Sequence, residues 1–277
     1  MSIDMNKLTI RNNVIFTLVM RRKNLATKCL ERILGKKIRK LEYIESEKSE
    51  EISVDTHGVR LDVYCENEEA LYNIEMQAYQ MDDLPKRSRY YQDMMDMILL
   101  EKGQPYDALK KSIVIFICTF DPFGLERHIY TFENLCSEDT SIPLLDETTK
   151  IFLNTKGKLD DIPKPLALFL NYIETGEMQD DYTKELDQAV VEVRNNEKWR
   201  KPIMTVEMMI KDAVYAASKE AKAEGIAEGK AEGKADERKA TVFRMLDANM
   251  TEDQIKIATA LTEDELRPIV EEYHSMK

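Results

Sequence analysis

The sequence predicts an α/β domain in which helices cover a sheet, and three features point to it. Apolar positions recur at helical spacing near the N-terminus, short runs rich in Val, Ile, Tyr and Phe follow between Gly58 and Phe132, and a helical pattern interrupts those runs. With 277 residues, 43% of them hydrophobic, and only 9 Gly and 8 Pro, the chain can bury a real core and is neither disordered nor collagen-like. Length alone suggests one ordinary domain with an appendage, or two modest ones.

The elements follow in order. From Lys7 to Lys40 there are eleven Lys or Arg and one acid, Glu31, while Ile10, Val14, Leu18, Leu25, Leu30, Ile33 and Leu34 recur at helical spacing. The basic side chains, Arg21, Arg22 and Lys23 among them, are expected on the solvent face of one or two helices. That face is either simply solvated or a surface that tracks DNA phosphates. VRLDVYCE and ALYNIEMQ then read as two strands of a hairpin, and SIVIFICTF and RHIYTF as further strands. Between them LPKRSRYYQDMMDMILLEKG is a helix, with Pro85 in its first turn and Gly103 past its end. The acidic stretch from Glu133 to Asp187 is expected as a peripheral extension, holding a strand in IPLLDETTKIFLNT and a helix in PKPLALFLNYIETG that stops at Gly176.

Three regions result: 1–200 as the main domain with that extension, 201–240 as a connector, and 241–277 as a helical hairpin. The connector holds AKAEGIAEGKAEGKADERK, whose glycines recur every four residues. Glycine costs a helix about 1 kcal/mol relative to alanine, so the repeat is either a flexible link or a small-residue face on which two chains pack as a homodimer. In the hairpin, Thr251 to Gln254 and Thr262 to Glu265 fit capping boxes. Its second helix is too acidic for a DNA-reading helix and suits packing or protein contact.

Composition excludes several functions. Forty Lys and Arg against 52 Asp and Glu give a net charge of −12, which argues against a surface built throughout for polyanions. Four cysteines without a C-x-x-C pair, and three scattered histidines, offer neither a zinc ribbon nor a disulfide framework, and free thiols in a reducing cytoplasm are expected. The longest apolar run, Ser112 to Cys118, is too short to span a bilayer, so neither export nor a membrane is expected.

Asp62, Glu75 and Gln77 carry the chemistry. Aspartate is disfavoured in strands, and Glu75 and Gln77, two residues apart, share one face. If the hairpin turns about Glu68 and Glu69, Cys65 opposes Tyr72, Tyr64 opposes Asn73, Val63 opposes Ile74 and Asp62 opposes Glu75. Two carboxylates facing each other across about 5 Å repel. Either both point to solvent from a strand edge, or they hold a divalent cation such as Mg²⁺.

The runs GVRLDVYCENEEALYNIEMQ, LPKRSRYYQDMMDMILLEKG, VIFICTFDPFG, YTFENLC and FLNTKG resemble the PD-(D/E)XK nuclease superfamily, and more narrowly its Rpn-type recombination-promoting nucleases or putative transposases. The resemblance runs from about Asn13 to the Ala/Glu/Gly/Lys repeats. It implies a restriction-endonuclease-like core, a mixed β-sheet flanked by helices, and a Mg²⁺-dependent DNA endonuclease, with Mn²⁺ as a substitute. Asp62 and Glu75 match the two metal-ligating acids. Gln77 stands where the superfamily has lysine, so the charge a lysine would bring is lost, and a weak or inactive DNA- or protein-binding module is the alternative. On the helix after the acids, Lys86, Arg87, Arg89 and Tyr90 are candidates to hold DNA phosphates, with a solvated helix start as the other reading.

Overall fold

The computed structural model describes residues 4–43, 63–100, 102–200, 203–205, 208, 233 and 235–275. They divide into two compact units, Met1–Glu207 and Met208–Lys277. In the first, Asn12 accepts the Ile15 N–H at 3.0 Å and opens α1 (Asn13–Met20). The helical pattern then breaks at Arg21 and Arg22, and α2 (Lys23–Leu34) runs to Gly35, which ends it with a φ of +65°.

Among the described residues six strands form one sheet in the order β1-β2-β3-β4-β6-β5. Antiparallel β1 (Glu42–Tyr43), β2 (Val63–Glu66) and β3 (Ala70–Gln77) make one half. The β2–β3 register is the expected one: Cys65 opposes Tyr72, Tyr64 opposes Asn73 and Val63 opposes Ile74. Next to β3 lies parallel β4 (Lys111–Cys118), and since parallel neighbours need a crossover, α3 (Leu84–Leu99) provides it, with Pro85 in its first turn.

The region expected to be peripheral belongs to the sheet. Strand β6 (Thr148–Asn154) pairs parallel to β4, and β5 (Ile129–Phe132) lies outside it, antiparallel. Ile151, Phe152 and Leu153 are buried, which makes β6 an interior strand despite its acidic surroundings. After it, α4 (Lys164–Thr175) stops at Gly176, φ +80°, and α5 (Asp181–Asn195) starts at Asp180, which accepts the Thr183 N–H.

Each face of the sheet has its own core. On one, Ile74, Met76, Ile115 and Ile117 meet Phe16, Val19, Leu30, Phe169 and Leu186 from α1, α2, α4 and α5. On the other, Leu71, Phe116 and Phe152 meet Leu84, Tyr91 and Met95 of α3, with Tyr91, Phe116 and Phe152 stacked at centroid spacings of 5.8 and 5.4 Å. A fully buried phenylalanine contributes about 1.5–3 kcal/mol, so these rings anchor both layers.

Part of the basic N-terminal stripe is answered inside the unit. Arg22 pairs with Glu192, Lys28 with Glu185 and Arg32 with Asp180, clamping α2 to α5, and the Arg32 guanidinium lies 4.3 Å from the Tyr182 ring centroid.

The second unit joins a helical stretch over 235–247 to α6 (Glu252–Thr259) and α7 (Glu263–Ser275). Thr251 and Gln254 form the expected capping box, Thr262 and Glu265 bond reciprocally, and Val242, Ile255, Leu266 and Val270 form the core. The Ala/Glu/Gly/Lys repeat falls in large part outside the described residues. No helix among the described residues is long and apolar enough to cross a membrane.

Candidate active site

Strand β3 is interior, so its polar side chains are covered. Asn73, Glu75 and Gln77 alternate along the face that α3 covers and are 0, 4 and 8% exposed. Burial at this level excludes, for Glu75, a carboxylate that points to solvent from a strand edge. Its Oε1 accepts the Asn73 Nδ2–H at 3.0 Å. Asn73 Oδ1 is itself buried without a hydrogen-bond partner among the described residues. Both lie toward the carboxyl end of parallel β3 and β4, where open α/β sheets present ligand sites.

Gln77 is held at both ends of its amide. Its Nε2–H donates to the Tyr79 carbonyl at 2.7 Å, and its Oε1 accepts from Arg87 Nη1 at 3.2 Å. Among the described residues that leaves one N–H and one lone pair for another partner. Arg87, in the first turn of α3, also donates through Nη2 to the Tyr91 hydroxyl at 3.0 Å, one turn along the helix. Its guanidinium lies 5.6 Å from the Tyr91 ring centroid and 5.7 Å from that of Phe116. Burial disfavours the charge, yet the bond to Tyr91 and the negative potential of Glu75 and Asp83 hold the Arg87 pKa above its ordinary value.

A family comparison matches residues 15–224, more than half of the chain, to the PD-(D/E)XK nuclease family transposases. The chain belongs to that family. Neither the curated proteins nor the solved structures yield a match.

In this member of the family, the residues expected at the site have separate positions. Glu75 and Gln77 share one face with Arg87, while Asp62 lies outside the described residues. Lys86 and Arg89 are exposed on α3, and Tyr90 packs partly against the core beneath it. Arg21 and Lys23 are exposed and Arg22 is paired with Glu192, all at the α1–α2 junction, whose helices cover the face of the sheet opposite Glu75.

The donor set fits a hard divalent cation in kind. Glu75 supplies a carboxylate oxygen, although among the described residues no three acidic, His or Cys side chains gather at one point. Cysteine chemistry is not offered. Burial pushes the Cys118 thiol, on this same face, up to about 12, and all four cysteines are free.

The FDPFG run is structural. Asp121 accepts the N–H groups of Phe123, Gly124 and Glu126 and the Tyr130 hydroxyl, which fixes the loop after β4. Sequence reasoning passed over Asn73 and Tyr91. The polar residues at 73, 75 and 77 in a strand of β-formers, and the four-residue spacing of Arg87 and Tyr91, are the signals that find them.

Proposed function

We propose that the chain is a divalent-cation-dependent DNA endonuclease, with Asp62 and Glu75 as the cation ligands. The observation that carries the reading is the Glu75 carboxylate, buried on an interior strand of a nuclease-family sheet and anchored by Asn73. We infer that the β2–β3 register, which pairs Val63 with Ile74, continues by one step and sets Asp62 opposite Glu75. The two acids would then share one face and bind Mg²⁺, or Mn²⁺ in its place.

A bound cation of this kind lowers the pKa of water and neutralises phosphoryl charge. Glu75 and Asp62 would hold that cation, and the remaining N–H and lone pair of Gln77 would orient a water. The water oxygen forms a bond to phosphorus while the P–O3′ bond breaks. The water proton passes to solvent, and the departing oxygen takes a proton to become a 3′-hydroxyl opposite a 5′-phosphate. Lys86, Arg89 and Tyr90 on α3 are the proposed contacts to the DNA backbone beside the site, with Arg21 and Lys23, exposed at the α1–α2 junction, as proposed contacts away from it, whereas Arg22 is committed to Glu192.

The neutral, doubly engaged Gln77 favours a second reading, a DNA-binding module of weak or no activity. Cleavage and retention of one labelled duplex separate the two. The nuclease reading expects Asp62→Ala to abolish Mg²⁺-dependent cleavage and spare salt-sensitive retention. Retention by a parent protein that never cleaves supports the binding module.

A further inference from the structure

Hydrolysis of a phosphodiester builds negative charge on the phosphoryl oxygens, and a site formed by carboxylates needs a positive group to meet it. Gln77 cannot supply that charge. Arg87 can, because among the described residues its guanidinium makes no hydrogen bond to a carboxylate. Arg11, Arg22, Arg32 and Arg127 all end on acids. The hydrogen bonds of Arg87 instead go to neutral atoms: Gln77 Oε1, Tyr91 Oη and Met81 Sδ. They leave its Nε–H and one Nη2–H for a further acceptor. Two aromatic rings and three hydrogen bonds fix the fork before any substrate arrives, so little side-chain entropy remains to be lost on binding.

We propose that Arg87 is a catalytic residue of this site, its guanidinium donating to a non-bridging oxygen of the scissile phosphate, with Gln77 and Tyr91 as its positioning residues. The proposal rests on the hydrolytic reading above. Besides orienting the water, Gln77 then has a task that the lysine whose place it takes would not: its Oε1 holds the guanidinium that α3 delivers. The positive charge has moved from the strand to the helix that packs on it.

Two measurements on the full chain test this: single-turnover cleavage of supercoiled plasmid, and Mn²⁺ binding followed by the spectroscopic signal of the free ion. Arg87→Gln is expected to cleave about 100- to 1000-fold more slowly, the cost of removing one preorganised donor from a developing oxyanion. Its Mn²⁺ affinity stays the same or tightens, since a charge that repels cations beside Glu75 is gone. The double variant Arg87→Gln with Gln77→Lys returns the charge to the strand and recovers cleavage by about tenfold or more, as a donor restored near the phosphate would. Arg87→Gln cleaving at the parent rate overturns the proposal. So does a variant that loses Mn²⁺ binding and cleavage together with no recovery in the double, because Arg87 is then only a packing residue. A parent that cleaves nothing with Mg²⁺ or Mn²⁺ overturns the hydrolytic reading itself, and Arg87 falls with it.

Discussion

Asn73 and Glu75, two residues apart on β3, are joined by a hydrogen bond from Nδ2 to Oε1 of 3.0 Å, both of them buried. An amide that holds a carboxylate this way fixes its orientation. Partners behind a metal ligand cost about 10- to 100-fold in affinity or activity when removed. Asn73→Ala is therefore expected to weaken Mn²⁺ binding, measured by titration of the free ion, by a factor in that range. Unchanged Mn²⁺ affinity in a folded Asn73→Ala protein would show that Glu75 needs no anchor.

The loop beside the site has its own anchor. Against the upward push of burial, the Tyr130 hydroxyl and the N–H groups of Phe123, Glu126 and Gly124 hold the Asp121 carboxyl below its ordinary value. A depressed carboxylate stabilises the fold above its unfolded pKa of about 3.9, and that contribution is lost as pH falls through the folded value. Asp121→Asn is expected to lose about 1–3 kcal/mol at pH 7, the cost of unmaking charged hydrogen bonds, with the gap to the parent narrowing only below about pH 4. Urea unfolding at pH 7 and at pH 3.5 reads both.

Gly157 is a packing requirement. A Cβ placed there would lie 2.5 Å from the His128 ring and 2.7 Å from the His128 backbone nitrogen. Because part of the obstacle is backbone, Gly157→Ala forces β5 or the turn after β6 to move. Overpacking of this kind costs about 1–3 kcal/mol, and the melting temperature is expected to fall accordingly.

Asp180 serves α5 twice. It accepts the Thr183 N–H at 2.8 Å as N-cap and pairs with Arg32 of α2. Burial raises its pKa, but the bonds from Thr183 and Arg32 outweigh this and hold it low. Asp180→Ala removes a cap worth about 0.5–2 kcal/mol and leaves Arg32, only 18% exposed at its side chain, without its acid. Asp180→Asn keeps most of the cap but not the charge, so its difference from the parent in urea reads the ion pair, and its difference from Asp180→Ala reads the cap.

How far the sequence discloses this fold depends on whether a local cause exists. Strand β3 was legible to the residue because ALYNIEMQ is a run of β-formers bounded by acids and a turn, and the hairpin register followed from symmetry about Glu68 and Glu69. Pro85, Gly176 and the two threonine caps act within one helical turn, so their helices were readable too. The placement of β6 between β4 and β5 was not, because strand order is decided by pairing between distant segments. For the same reason the basic stripe of α2 looked free, while its acids stand some 150 residues later on α5. At the site, the strand pattern disclosed Glu75 and Gln77 but could not disclose that α3 turns Arg87 inward onto Gln77 and leaves Lys86 and Arg89 outside.

Glu75 is proposed to bind a cation that cleavage requires. Supercoiled plasmid incubated with Mg²⁺, with excess EDTA, and with Glu75→Gln protein beside the parent tests it most directly, since the variant keeps the shape and the Asn73 neighbour but loses the charge. Nicking is expected from the parent with Mg²⁺, none with EDTA and none from a Glu75→Gln protein of unchanged melting temperature. Nicking by Glu75→Gln at the parent rate, or nicking by the parent that persists in EDTA, would contradict it.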